Sequence, residues 1–167
     1  MTGLDVWVLE AGGEARAFLT SPFDEQLAMF SPDGQWIAYV SNRSGQNDVY
    51  VRPYPGPVAR IQLSSGGSRD PVWNPNGEEL FYLAGTKMMA VPVVLGSTLQ
   101  LGQPRELFDV PAVAPEDSAG LGLAYDVTPD GEQFVMVDVG ASAPAPSQLN
   151  VVLNWVEELK ARVPTEQ

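Results

Sequence analysis

Apolar positions in this chain fall in short runs of two to five residues separated by turns rich in Gly, Pro, Asn and Asp, a pattern that predicts many short strands. Leu27–Phe30 and Trp36–Val40 flank Ser31-Pro32-Asp33-Gly34. Val72-Trp73 and Leu80–Leu83 flank Asn74-Pro75-Asn76-Gly77, and Leu123–Val127 and Phe134–Val137 flank Thr128-Pro129-Asp130-Gly131. In each tetrapeptide Pro presets φ near about −65°, Asp or Asn tolerates the next position, and Gly takes the positive φ that other residues resist. Each is therefore predicted to close a β-hairpin, with Asp33, Asn76 and Asp130 as turn formers rather than metal ligands.

The hairpins recur. The first two turns lie 43 residues apart, and Asp5-Val6-Trp7-Val8 returns as Asp48-Val49-Tyr50-Val51 after the same interval. The third turn follows after 54 residues, and Pro111–Gly120 reads as the inserted loop. A third strand such as Asp48–Arg52 follows each hairpin, and Ala15–Thr20, Ala59–Ser64 and Arg105–Phe108 are candidates for a more polar fourth. Four antiparallel strands in roughly 40 residues predict the blade of a β-propeller. A sandwich also uses short strands, but has no reason to place the same turn and the same aromatic strand at a fixed interval. The expectation is an all-β propeller of about three four-stranded blades in one domain, 1–167. Its repeats are placed at about 5–47, 48–86 and 87–140, with a C-terminal strand and short helix within 148–163. Trp155, Val156, Leu159 and Val163 carry the helical spacing of that tail. Trp36, Tyr39, Tyr50, Trp73, Phe81, Tyr82 and Tyr125 are expected in the core.

Three blades cannot close a ring that typically uses four to eight. The expectation is a homodimer forming a six-bladed ring, each chain's first strands completing the other's last blade. The alternative is a four-bladed monomer in which Asp5–Thr20 pairs beside the Thr128 hairpin.

Composition narrows the chemistry. With 9 basic against 21 acidic side chains the net charge is −12, which opposes nucleic-acid binding. The absence of both Cys and His removes thiolate nucleophiles, His-based triads and the usual zinc ligands. The adjacent acids Glu78-Glu79, Glu116-Asp117 and Glu157-Glu158 point in different directions on strands or loops, so they suit surface solvation and not paired acid–base work. No catalytic residue, metal site or cofactor is expected. The N-terminal residues lack a secretory signal, and no apolar run approaches the roughly 18 residues of a membrane helix. A soluble piece without membrane insertion is expected, its compartment left open.

Loops before the innermost strands line the channel mouth of a propeller. Here they are Asp24-Glu25-Gln26, Ser68-Arg69-Asp70 and Asp117-Ser118. Asp24, Glu25, Gln26, Arg69 and Asp70 are the candidate ligand-binding residues. They read as a polar funnel for a peptide or cation, with Arg69 a lone anchor for a carboxylate. The same residues also suit a plain solvated rim.

At Phe30–Gly34, Ile37-Ala38-Tyr39, Ser41-Asn42-Arg43-Ser44-Gly45, Val49-Tyr50-Val51 and Leu19-Thr20 the chain resembles the TolB-like (WD40-like) propellers. The resemblance covers most of residues 5–140 and is weaker at the second turn, where Asn74 and Asn76 replace Ser and Asp, and at the third. Leu149–Lys160 is similar to the C-terminal end of propellers appended to bacterial serine/threonine kinases. The chain has no kinase Gly-rich loop, His-Arg-Asp or Asp-Phe-Gly, so the resemblance implies a sensor that binds a protein or peptide, and not phosphotransfer. Membership of such a receptor would place it on the extracytoplasmic side. The alternative is the accessory propeller of a prolyl-oligopeptidase-like hydrolase whose catalytic domain lies elsewhere, since Gly-x-Ser-x-Gly and His are both missing here. A third reading is an arc used for assembly alone.

Overall fold

In the computed structural model, which describes residues 3–56, 59–110 and 123–137, the three Pro-containing tetrapeptides build one turn three times. Gly34 N–H donates to the Ser31 carbonyl, Gly77 to Asn74 and Gly131 to Thr128, each at 2.8 Å. The glycines have φ of +69°, +79° and +77°, a region L side chains enter at a cost of about 1–2 kcal/mol. The side chain before each glycine accepts from the backbone two residues on: Asp33 from Gln35 N (3.1 Å), Asn76 from Glu78 N (2.9 Å) and Asp130 from Glu132 N (3.1 Å). These three residues are turn formers, as their positions predict.

The turns join strands into four antiparallel sheets, and the described residues contain no helix. Strands β1 (Val6–Leu9) and β2 (Ala15–Leu19) form the first sheet. The second has the order β3 (Glu25–Phe30), β4 (Trp36–Ser41), β5 (Asp48–Pro53), β6 (Ile61–Gln62). The third runs β7 (Ser68–Trp73), β8 (Glu79–Ala84), β9 (Lys87–Val94), and two short strands share the place beyond β9. There β10 (Gln100–Leu101) pairs with Val93 and Val94, and β11 (Arg105–Asp109) pairs with Lys87–Ala90. The last sheet is β12 (Tyr125–Val127) with β13 (Phe134–Met136). The sequence repeat 48–86 thus supplies β5 and β6 to one sheet and β7 and β8 to the next. The loop Pro111–Gly120, with Asp117-Ser118, and the expected strand and helix at 148–163 lie outside the described residues.

Strand alternation sends successive side chains to opposite faces, so each central sheet has two packing surfaces. Ala38, Val40, Val49 and Val51 meet Leu80, Tyr82, Val91 and Val93 between the second and third sheets. On the far side of the third sheet Val72, Phe81, Leu83, Met88 and Ala90 meet Ala124, Tyr125 and Val127. Full burial of side chains this size contributes roughly 1.5–3 kcal/mol each. All seven aromatic residues expected in the core are buried. Their polar atoms also join the layers: Trp73 Nε1 donates to the Met29 carbonyl (3.2 Å), and Tyr125 Oη donates to the Asp70 carbonyl (2.9 Å). Burial holds the Tyr125 phenol well above its ordinary pKa.

Candidate functional site

The starts of β3 and β7 are equivalent positions 43 residues apart, and both strands bulge there. Leu27 and Asp70 hold φ of +52° and +54°, beside register shifts between Gln26 and Met29 and between Arg69 and Val72. A bulge of this kind twists the strand and re-aims the side chains next to it. Around these bulges the predicted mouth residues are buried, half-buried or held by hydrogen bonds. Asp24 accepts from Leu4 N (2.9 Å) and Asn42 Nδ2 (2.9 Å), which pins the chain leading into β3. Glu25 is 2 % exposed and accepts from Ser21 Oγ at 2.6 Å, so it belongs to the interior and not to a solvated rim. Gln26 is half-buried opposite Val40. Asp70 is also 2 % exposed and accepts from Arg69 Nη1 at 3.0 Å.

That last contact corrects one expectation. Arg69 is no lone anchor, because the carboxylate next to it in sequence already neutralises it. The positive φ of Asp70 accompanies a side chain folded back to its neighbour.

A second polar cluster occupies the face of the β3–β6 sheet turned toward β1 and β2. On β4 and β5 the positions alternating with the apolar core residues are Ser41, Tyr39, Ile37 and Asp48, Tyr50, Arg52, and Glu25 pairs with Ser41. All are buried. Tyr39 and Tyr50 stack with centroids 5.8 Å apart, packed on Leu19 of β2 with Val6 and Phe18 beside it. The Arg52 guanidinium lies 4.2 Å from the Phe18 ring centroid and donates from Nη1 to the Phe18 carbonyl at 3.2 Å. Asp48 is satisfied by Ser44 Oγ (2.6 Å), Gln62 Nε2 (3.2 Å) and Gly67 N (3.2 Å).

Three polar atoms on this face have no hydrogen-bond partner despite being buried: Glu25 Oε2, the Tyr39 hydroxyl and Arg52 Nε. Such atoms are expensive to leave unpaired, because their lost hydration is not replaced. Burial keeps the Tyr39 phenol above its ordinary pKa, opposed by the positive charges of Arg60, Arg43 and Arg52. Burial likewise lowers the pKa of the Arg52 guanidinium. The equivalent face of the third sheet is more apolar, with Leu80, Tyr82, Met89 and Val91 at the places of Ile37, Tyr39, Tyr50 and Arg52.

The sequence pattern places Tyr39 in the core and does not single out Arg52. Asp48, Tyr50 and Arg52 alternate with Val49 and Val51, the signature of a strand with one wet face, and only the β1–β2 hairpin lying across that face buries it. The one available signal was Arg52 itself, which stands where the matching strand Asp5-Val6-Trp7-Val8 continues with Leu9.

Among the described residues no helix is long and apolar enough to cross a membrane. No family model matches the chain, and no curated protein matches it.

Proposed function

We propose that this chain is a recognition module without chemistry of its own, built from propeller blades and completed by a second copy of itself. The observation that carries the reading is the complementarity of its two half-sheets. In the repeat, β1 and β2 stand where the third and fourth strands of a four-stranded sheet belong, and β12 and β13 where the first and second belong. Each hairpin has what the other lacks.

Their exposed side chains support the same pairing. Val6 and Val8 turn toward the β3–β6 sheet, leaving Trp7 (58 % exposed) and Leu9 (66 %) uncovered. Phe134 and Met136 turn toward the β7–β9 sheet, leaving Val135 (68 %) and Val137 (59 %) uncovered. Adding β13 of one copy to the free edge of β1 in the other, in the register of β4 on β5, sets Trp7 opposite Met136, Val8 opposite Val135 and Leu9 opposite Phe134. Trp7 and Leu9 then join the layer of Phe134 and Met136, and Val135 and Val137 join that of Val6 and Val8. A two-fold axis makes the contact twice and yields six four-stranded units, within the usual four to eight. It also removes two exposed strand edges from each chain. The likeness of the Ser-Pro-Asp-Gly repeat to TolB-like propellers favours the same architecture. The loops entering β3 and β7 would then gather around the channel and receive a protein or peptide ligand.

Because the chain contains no cysteine, engineered thiols read the pairing without background. Residues directly opposite in an antiparallel pair have Cβ atoms about 4.5–5.5 Å apart, close enough for a disulfide after small adjustment. A chain carrying Trp7→Cys and Met136→Cys is expected to run as a covalent dimer on a non-reducing gel after mild oxidation. The shifted pair Trp7→Cys and Val135→Cys is expected to stay unlinked. Linkage within a single chain would establish a monomer closed by its own termini instead, and no linkage in either pair would refute the reading.

A further inference from the structure

The polar face of the β3–β6 sheet contains an unmatched positive charge. Continuing the β5–β6 register of Tyr50 with Gln62 and Val51 with Ile61 by one residue sets Arg60 opposite Arg52. Like charges directly across a strand pair repel. Arg43 joins them from the loop after β4, its guanidinium 6.0 Å from the Tyr50 ring centroid. Among the described residues none of the three forms an ion pair, in a chain whose net charge is −12. Where acids outnumber bases more than two to one, three arginines that form no ion pair need a physical reason.

The hydrogen-bonding inventory supplies one. Arg52 spends Nη1 on the Phe18 carbonyl, which leaves the buried Nε edge of its guanidinium without an acceptor. The Tyr39 hydroxyl is buried close by, since Tyr39 lies two residues along β4 from Ile37, the residue paired with Arg52. It too lacks a partner. Two buried donors and an arginine pair short of negative charge share one missing component, an anion. The acids on this face are not paired with these arginines: Asp48 accepts from Ser44, Gln62 and Gly67, and Glu25, whose charge also reaches the Tyr39 hydroxyl, accepts from Ser21 and forms no ion pair.

We propose that this face binds a carboxylate, held by the Nε edge of Arg52 and the Tyr39 hydroxyl, with the exposed Arg60 at its entrance. A planar guanidinium edge matches the two oxygens of a carboxylate in a fork that a tetrahedral anion fills less well. The site lies beneath Phe18 of β2, away from the free edge of β1 where a second copy would add. It therefore stands whether or not copies pair.

The test follows the arginine Nε–Hε resonances of the intact chain by NMR during titration with sodium acetate, and separately with sodium phosphate, at constant ionic strength. Arg52 is assigned by the loss of its signal in Arg52→Lys. The Arg52 resonance is expected to move saturably with acetate. Tyr39→Phe, which deletes one hydrogen bond to a charged ligand, is expected to weaken the midpoint about tenfold or more. Arg60→Gln changes only an exposed side chain and is expected to weaken binding with the fold intact. A linear drift that is the same in wild type and Arg60→Gln would overturn the site, and saturation by phosphate at lower concentration than acetate would overturn its assignment to carboxylates.

Discussion

Phe81→Ala is expected to destabilise the chain by about 3–5 kcal/mol, the largest effect of any single truncation in the second core layer. Phe81 is 1 % exposed at the centre of β8, packed with Val72, Leu83, Met88 and Ala90 against Ala124, Tyr125 and Val127. Its ring meets Phe134 edge-on at 5.0 Å, and Phe134 in turn contacts Phe108 and Tyr125. Truncation removes the transfer free energy of the ring and leaves a hole that backbones hydrogen-bonded on both sides of β8 cannot collapse into. Urea denaturation checks it. A loss below about 1 kcal/mol would mean that β12 and β13 do not form a layer on the β7–β9 sheet.

Gly131→Ala is expected to cost about 2–4 kcal/mol, from a strained backbone and a steric clash together. A Cβ on Gly131 would fall 2.2 Å from Asn74 Nδ2 and 2.9 Å from Asn74 Cγ. The third turn thus rests on the first residue of the second turn. Asn74 is 3 % exposed, and its own Oδ1 accepts from Asn76 N, so it has little freedom to move aside. Gly34→Ala is the control: φ is similar, nothing lies within 4 Å of the added carbon, and only the conformational part, about 1–2 kcal/mol, is expected. Equal losses in the two variants, measured by thermal or urea unfolding, would mean that the second and third turns do not touch.

Local chemistry makes the strands and turns legible in the sequence. Pro, then Asp or Asn, then Gly can close only a few turn types, and a spacing of 43 residues places equivalent strands in equivalent sheets. The β-bulges were hidden because neither Leu27 nor Asp70 is a residue that advertises positive φ the way Gly does, although both adopt it. The strand β10 was hidden because two residues give no period to detect. The site was harder still. Asp24, Glu25 and Asp70 stand at the entrances to β3 and β7, but whether a charged side chain there faces solvent or folds inward depends on a bulge that periodicity does not reveal. Tyr39 and Arg52 lie on two different strands of one sheet and Arg60 just before a third, and only the register of β4 on β5 brings Tyr39 and Arg52 to one face.

The most direct measurement is the mass of the chain in solution, by size-exclusion chromatography with light scattering over a range of concentrations. Pairing of β1 with β13 between copies requires a species of twice the 18.0 kDa of one chain, reduced to single chains by a charge placed in the seam, such as Val135→Lys. A chain that stays at 18.0 kDa at every concentration, with or without that substitution, would contradict it.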